Sequence, residues 1–138
     1  MLRNSLSIGA GIISGGILIF LVESLGHTIY PHPADFDYTD KEALAELIQN
    51  APIGALLFVI LAWAVGSFGG GLVASLISNE DKIRKALIVG VVLMILGIMN
   101  MLMVPHPIWF WILGIAVYMP MAYLGGKIGD RNQTIEKS

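Results

Sequence analysis

The chain contains no cysteine, so disulfides, thiolate metal sites and cysteine nucleophiles are excluded, and nothing marks the redox state of its compartment. Charge is scarce too: Asp, Glu, Lys and Arg together make up 13% of the residues, with 8 basic against 10 acidic. A basic surface for nucleic acid is therefore absent, and no nucleotide or flavin motif replaces it. Within the apolar runs ionisable groups are almost absent, which makes the few that occur conspicuous.

What the sequence has in abundance is apolar surface. Hydrophobic residues make up 56% of the 138, and the mean hydropathy of +0.77 lies far outside the habit of a soluble domain of this size. Four apolar segments stand out, at about 6–30, 53–77, 83–104 and 108–128. At about 1.5 Å rise per residue, each is long enough to cross a hydrocarbon core of about 30 Å. The chain thus reads as an all-α membrane protein, one four-helix transmembrane domain over 1–138 with the lipid bilayer as its main partner. The first segment is longer than the apolar part of a signal peptide and lacks a small-residue cleavage site, so it reads as a retained span.

Arg3, Lys82, Arg84, Lys85, Lys127, Arg131 and Lys137 fall on one side of this arrangement and only Lys41 on the other. The positive-inside rule then predicts that both termini and the middle loop are cytoplasmic. The outer loop contains YTDKEALAELIQNAP, in which Thr39 and Glu42 fit a capping box and Leu44, Leu47 and Ile48 share one helical face. A short amphipathic outer helix is expected there, and Asp35, Asp37, Asp40, Glu42 and Glu46 make the loop acidic. Ser78 with Asp81 resembles a second cap in the tight turn between spans two and three.

The chain also reads as a duplication of two-helix halves, about 6–78 and 82–130. Span one ends in Tyr30-Pro31-His32-Pro33 and span three in Val104-Pro105-His106-Pro107. Trp63 precedes Phe68-Gly69-Gly70-Gly71 at the spacing with which Tyr118 precedes Tyr123-Leu124-Gly125-Gly126. Two helices per unit give parallel repeats, of the kind some transporters use. Aligning the two PHP tripeptides sets Gly97 opposite Glu23 and Met101 opposite His27, so only one half carries the polar pair.

Span two carries Ala62, Gly66, Gly70, Ala74 and Ser78 at four-residue spacing. Small residues let helix backbones approach closely in lipid, so this stripe is expected to be a packing seam, within one chain or between copies of a homo-oligomer. Trp109, Phe110 and Trp111, with Tyr30, resemble an aromatic belt at the outer interface. Trp63 and Tyr118 lie near mid-span, where their indole and phenol donors need partners.

Glu23 and His27 sit one turn apart in ILIFLVESLGHTIY, deep in the first span, and share a helix face. Asn100 should lie near the depth of His27, with His32 and His106 flanking the outer mouth. Three readings stay open. In the first, Glu23, His27 and Asn100 load and release a proton or cation in a small transporter or channel. In the second, Glu23, His27, His32 and His106 hold a metal ion; apart from that reading no cofactor is expected. In the third, the polar groups are interhelical hydrogen-bonding glue in a non-catalytic subunit or scaffold of a larger membrane complex. An enzyme is not expected: a Ser-His-Glu hydrolase would need Ser24 or Thr28, and Ser24 points about 100° away from Glu23 on the helix.

The segments VESLGHTIYPHP, LLFVILAWAVGSFGGGLVASLIS and NMLMVPHPIWFWILG together resemble a group of small bacterial four-span membrane proteins. That resemblance covers nearly the whole chain. It implies a bacterial inner-membrane location and brings no catalytic or binding residue with it.

Overall fold

A computed structural model describes residues 2–137. Among the described residues there are five helices and no strand: α1 (Leu2–Ile29), α2 (Lys41–Gln49), α3 (Ile53–Ile77), α4 (Lys82–Met103) and α5 (Ile108–Lys137). All but α2 are long and apolar enough to cross a membrane, α5 over Ile108–Asn132. Prolines set several ends. Pro31 and Pro33 follow α1, Pro52 is the N-cap residue of α3, and Pro107 offers its carbonyl to the amides of Phe110 and Trp111 at the start of α5.

Two caps differ from the sequence expectation. Asp40, not Thr39, caps α2: its side chain accepts from the amides of Glu42 and Ala43 at 3.0 and 3.2 Å. Thr39 is engaged elsewhere, donating its amide and hydroxyl to Asp37 Oδ1. Ser78 closes α3 rather than opening α4. Its hydroxyl donates to the Glu80 carbonyl at 2.7 Å and meets Asn4 Oδ1 at 3.1 Å. Asp81 then starts α4 from a left-handed backbone conformation with φ 48° and makes no side-chain cap bond.

α3 is the central helix, packed against α1, α4 and α5, most extensively against α1 and α5. Its small-residue stripe is buried throughout, with Ala62, Ala74 and Ser78 fully inaccessible. Two glycine pairs form the α1–α3 seam. A Cβ on Gly70 would lie 2.7 Å from the Gly11 carbonyl, and one on Gly15 2.9 Å from the Gly66 carbonyl. The stripe is thus consumed within one chain. α5 approaches from the other side, where a Cβ on Gly71 would meet the Ala122 carbonyl at 2.5 Å and Ser75 donates to the Gly126 carbonyl at 2.7 Å. In α1 the buried residues are Ser7, Gly11, Gly15 and Gly26, while Ile13, Ile17, Phe20 and Leu21 are exposed. Small residues inside and large apolar ones outside is the arrangement that lipid favours.

At one end of the bundle Arg3 donates to the Ile77 carbonyl at 2.7 Å, bringing the start of α1, the end of α3 and the α3–α4 turn together. The expected basic residues gather there, except that the side chain of Lys137 lies outside the described residues. The core is aromatic in its other half. Trp63 stacks on Tyr118 with centroids 5.5 Å apart and meets Phe110 edge-on at 5.3 Å. Phe110 is fully buried and so belongs to the core rather than to an aromatic belt, leaving half-buried Trp109 and Trp111 beside it.

The seam predicts a contrast between glycines within it and a glycine beside it. Gly15→Val or Gly70→Val should cost about 1–3 kcal/mol or more by overpacking against backbone. Gly16→Ala, where nothing lies within 4 Å, should leave stability unchanged or raise it by up to about 1 kcal/mol. Thermal unfolding of the purified protein in detergent checks this, and equal losses at Gly15 and Gly16 would contradict the seam.

Candidate functional site

The end of the bundle opposite Arg3 is built from the last turns of α1, the first turns of α3, and α2. The helix α2 lays Leu44, Leu47 and Ile48 half-buried toward the bundle and leaves Lys41, Glu42, Glu46 and Gln49 exposed. Its backbone makes no close approach to another helix, and Ile48 packs onto the core by its side chain. Beneath it lies a cleft of about 460 Å³, whose walls include Ala55, Leu56, Phe58, Val59 and Ile48. Gly26 sits against the Phe58 ring and Gly54 against the Tyr30 hydroxyl, so both glycines let an aromatic ring close the cleft's sides.

Glu23 lines this cleft at its inner end, and His27 and His32 line it nearer the loop. Glu23 is only partly exposed. The Trp63 indole and the His27 ring both lie close to the Glu23 carboxylate. Tyr118, stacked on Trp63, also lies close enough to feel the Glu23 charge. A carboxylate drawn partly out of water is costly unless polar groups lie near it, and here an indole and an imidazole do. Trp63 and Tyr118 thus stack on each other beside Glu23, an arrangement that sequence spacing did not connect.

His27 and His32 meet edge to face with ring centroids 4.7 Å apart. His32 Nδ1 is 3.1 Å from the Tyr38 hydroxyl, and Phe36 and Tyr38 pack against each other beside it. Burial and the neighbouring His27 both hold the His32 ring below the ordinary histidine value. Asp37, on the same loop, is held below the ordinary carboxylate range by its two bonds from Thr39 and stays charged.

Two expected members do not join. Asn100 is exposed on α4 and is not part of the cleft lining. Its neighbour Met101 is the residue that α4 turns inward, 2% exposed, so one residue of helical rotation carries Asn100 outward. His106 lines a second cavity, of about 330 Å³, with Trp109 and Pro107. Its Nδ1 donates to the Val104 carbonyl at 2.6 Å and its ring stacks on Phe110 at 4.4 Å. The four-residue metal set of Glu23, His27, His32 and His106 is therefore not assembled, and no group of three His, Asp or Glu placed to hold a metal occurs among the described residues. Ser24 and Thr28 donate to the carbonyls of Phe20 and Ser24 on their own helix, at 2.7 and 3.0 Å.

Comparison with protein-family models, with curated proteins and with solved structures finds no match to this chain.

Both loop imidazoles should titrate below about 6.5, the ordinary histidine value. For His106 burial sets the direction, and the bond to Val104 opposes it without reversing it. Since the folded state disfavours the protonated rings, their packing contributes fully above the ordinary value and weakens as pH falls below it. Histidine-selective NMR of the protein in lipid nanodiscs measures both. His27→Ala should move the His32 value upward and leave that of His106 in place.

Proposed function

We propose that this chain is a small transporter of the inner membrane that loads a proton or cation from one side, at Glu23, with His27 as the partner of the carboxylate. The observation that carries this reading is the position of Glu23 at the inner end of a cleft. It is the only charged side chain in the apolar part of any span, and an ionisable group at such depth is by default a pointer to function. Below it the glycine pairs bring the backbones of α1 and α3 into contact and Trp63 and Tyr118 fill the centre, which favours alternating exposure of one site over an open channel.

The clustering of basic residues at the Arg3 end supports cytoplasmic termini and an outward-facing α2. The duplication gains support from a matched pair of contacts. Glu23 of α1 meets Trp63 of α3, and Gly97 of α4, its counterpart, lies against the hydroxyl of Tyr118 in α5. The missing carboxylate in the second half then has a steric reason: the Tyr118 side chain occupies the space. With the α3 stripe used internally, association between copies falls to other faces. On α1, Gly9 and Gly16 face open space.

In proteoliposomes, Glu23→Gln should reduce proton-coupled or cation flux by roughly an order of magnitude or more, since it removes the titrating charge while keeping the shape. Unchanged flux in that variant, with the protein intact, would remove transport as the function and return the scaffold reading.

A further inference from the structure

We propose that the cleft between α1, α2 and α3 binds an organic cation with an apolar body, its positive centre facing Glu23 and its body lying along Ala55, Leu56 and Val59 beneath Ile48. The inference rests on the reading of Glu23 as the cation-loading group and adds the class of the substrate. Its first support is size. A cleft of about 460 Å³ lies within the range of about 300–1,000 Å³ typical of small-molecule sites and far exceeds what a desolvated metal ion needs.

Its second support is the donor set. A hard inorganic cation gives up its hydration shell only to several oxygen ligands in return. The cleft lining offers one carboxylate, Glu23, with imidazoles farther out and an otherwise mainly apolar wall. An organic cation asks for the reverse: one counter-charge, and apolar and aromatic surface for the rest. Phe58, beside Gly26, presents a ring for cation–π contact. A neutral apolar occupant would leave Glu23 with no charge to answer, and an anion would be repelled by it.

Its third support lies at the mouth. Asp35, Asp37, Asp40, Glu42 and Glu46 are all exposed in the loop and helix that cover the cleft, against the single base Lys41. The acidic rim raises the local concentration of cations over anions. Because α2 holds on by side chains such as Ile48 and not by backbone contact, it is the element best placed to yield for entry.

Equilibrium binding of radiolabelled tetraphenylphosphonium to the full-length protein in detergent tests the site. Saturable binding is expected, displaced by tetrabutylammonium and not by neutral triphenylphosphine oxide at equal concentration. Glu23→Gln and Ala55→Phe, the first removing the charge and the second filling the cleft, should each weaken it by about tenfold or more, while Glu23→Asp retains it. Absence of saturable binding to the unaltered protein, equal binding to Glu23→Gln, or displacement by the neutral compound overturns the inference. Glu23-dependent proton flux without tetraphenylphosphonium binding would remove the organic cation and leave the transport reading standing. Glu23-dependent binding without flux in any variant would uphold the site and remove transport.

Discussion

Backbone meeting backbone between α1 and α3, at Gly11 with Gly70 and Gly15 with Gly66, is the constraint on which the remainder of this bundle depends. In lipid no hydrophobic drive pulls helices together, so close van der Waals contact over a glycine seam has to supply what burial supplies in water. The seam brings α1 close enough for Glu23, two turns beyond Gly15, to reach Trp63. It also leaves the large apolar side chains of α1 free to face lipid. The Gly11 carbonyl lies 2.7 Å from where a Gly70 Cβ would stand, so the spacing tolerates no side chain and the register of α1 on α3 has little freedom.

The seam and the aromatic core divide the molecule along its length. One half is closed by small residues in contact and by hydrogen bonds such as Ser75 to Gly126. The other half is held apart by rings: Trp63, Phe110 and Tyr118 in the centre, Phe58 and Tyr30 at the side of the cleft. Beyond the glycine pairs the rings of Phe58 and Tyr30 lie against Gly26 and Gly54, and Ile48 of α2 also lines the cleft. The polar site exists because these two packing modes meet at the level of Glu23. Trp63 belongs to both, as a core ring and as a close neighbour of the carboxylate.

The same geometry separates residues that spacing had grouped. His32 and His106 occupy equivalent positions in their PHP turns, yet His32 faces His27 and the cleft while His106 turns its ring onto Phe110 and its Nδ1 to the Val104 carbonyl. The difference follows from what comes next in the chain. After Pro33 a loop carries Phe36 and Tyr38 back against His32, whereas after Pro107 the helix α5 begins at once and sets Phe110 beneath His106. A tripeptide repeated in sequence is therefore two different structural elements.

Sequence alone determined the four apolar spans, their ends at prolines, the acidic amphipathic segment and the small-residue stripe of α3, because hydropathy, helical period and proline chemistry act locally. It also singled out Glu23 and His27, since a charge within an apolar run is visible without a partner. Only the tertiary structure decided that the stripe packs within one chain, that Asp40 in place of Thr39 caps α2, that Phe110 is core, and that Asn100 and His106 stand apart from Glu23. Those outcomes depend on the rotation of each helix about its axis and on its neighbours. One residue of rotation, about 100°, separates inward Met101 from outward Asn100, and a pattern apolar on all sides leaves that rotation open until another helix is packed against it.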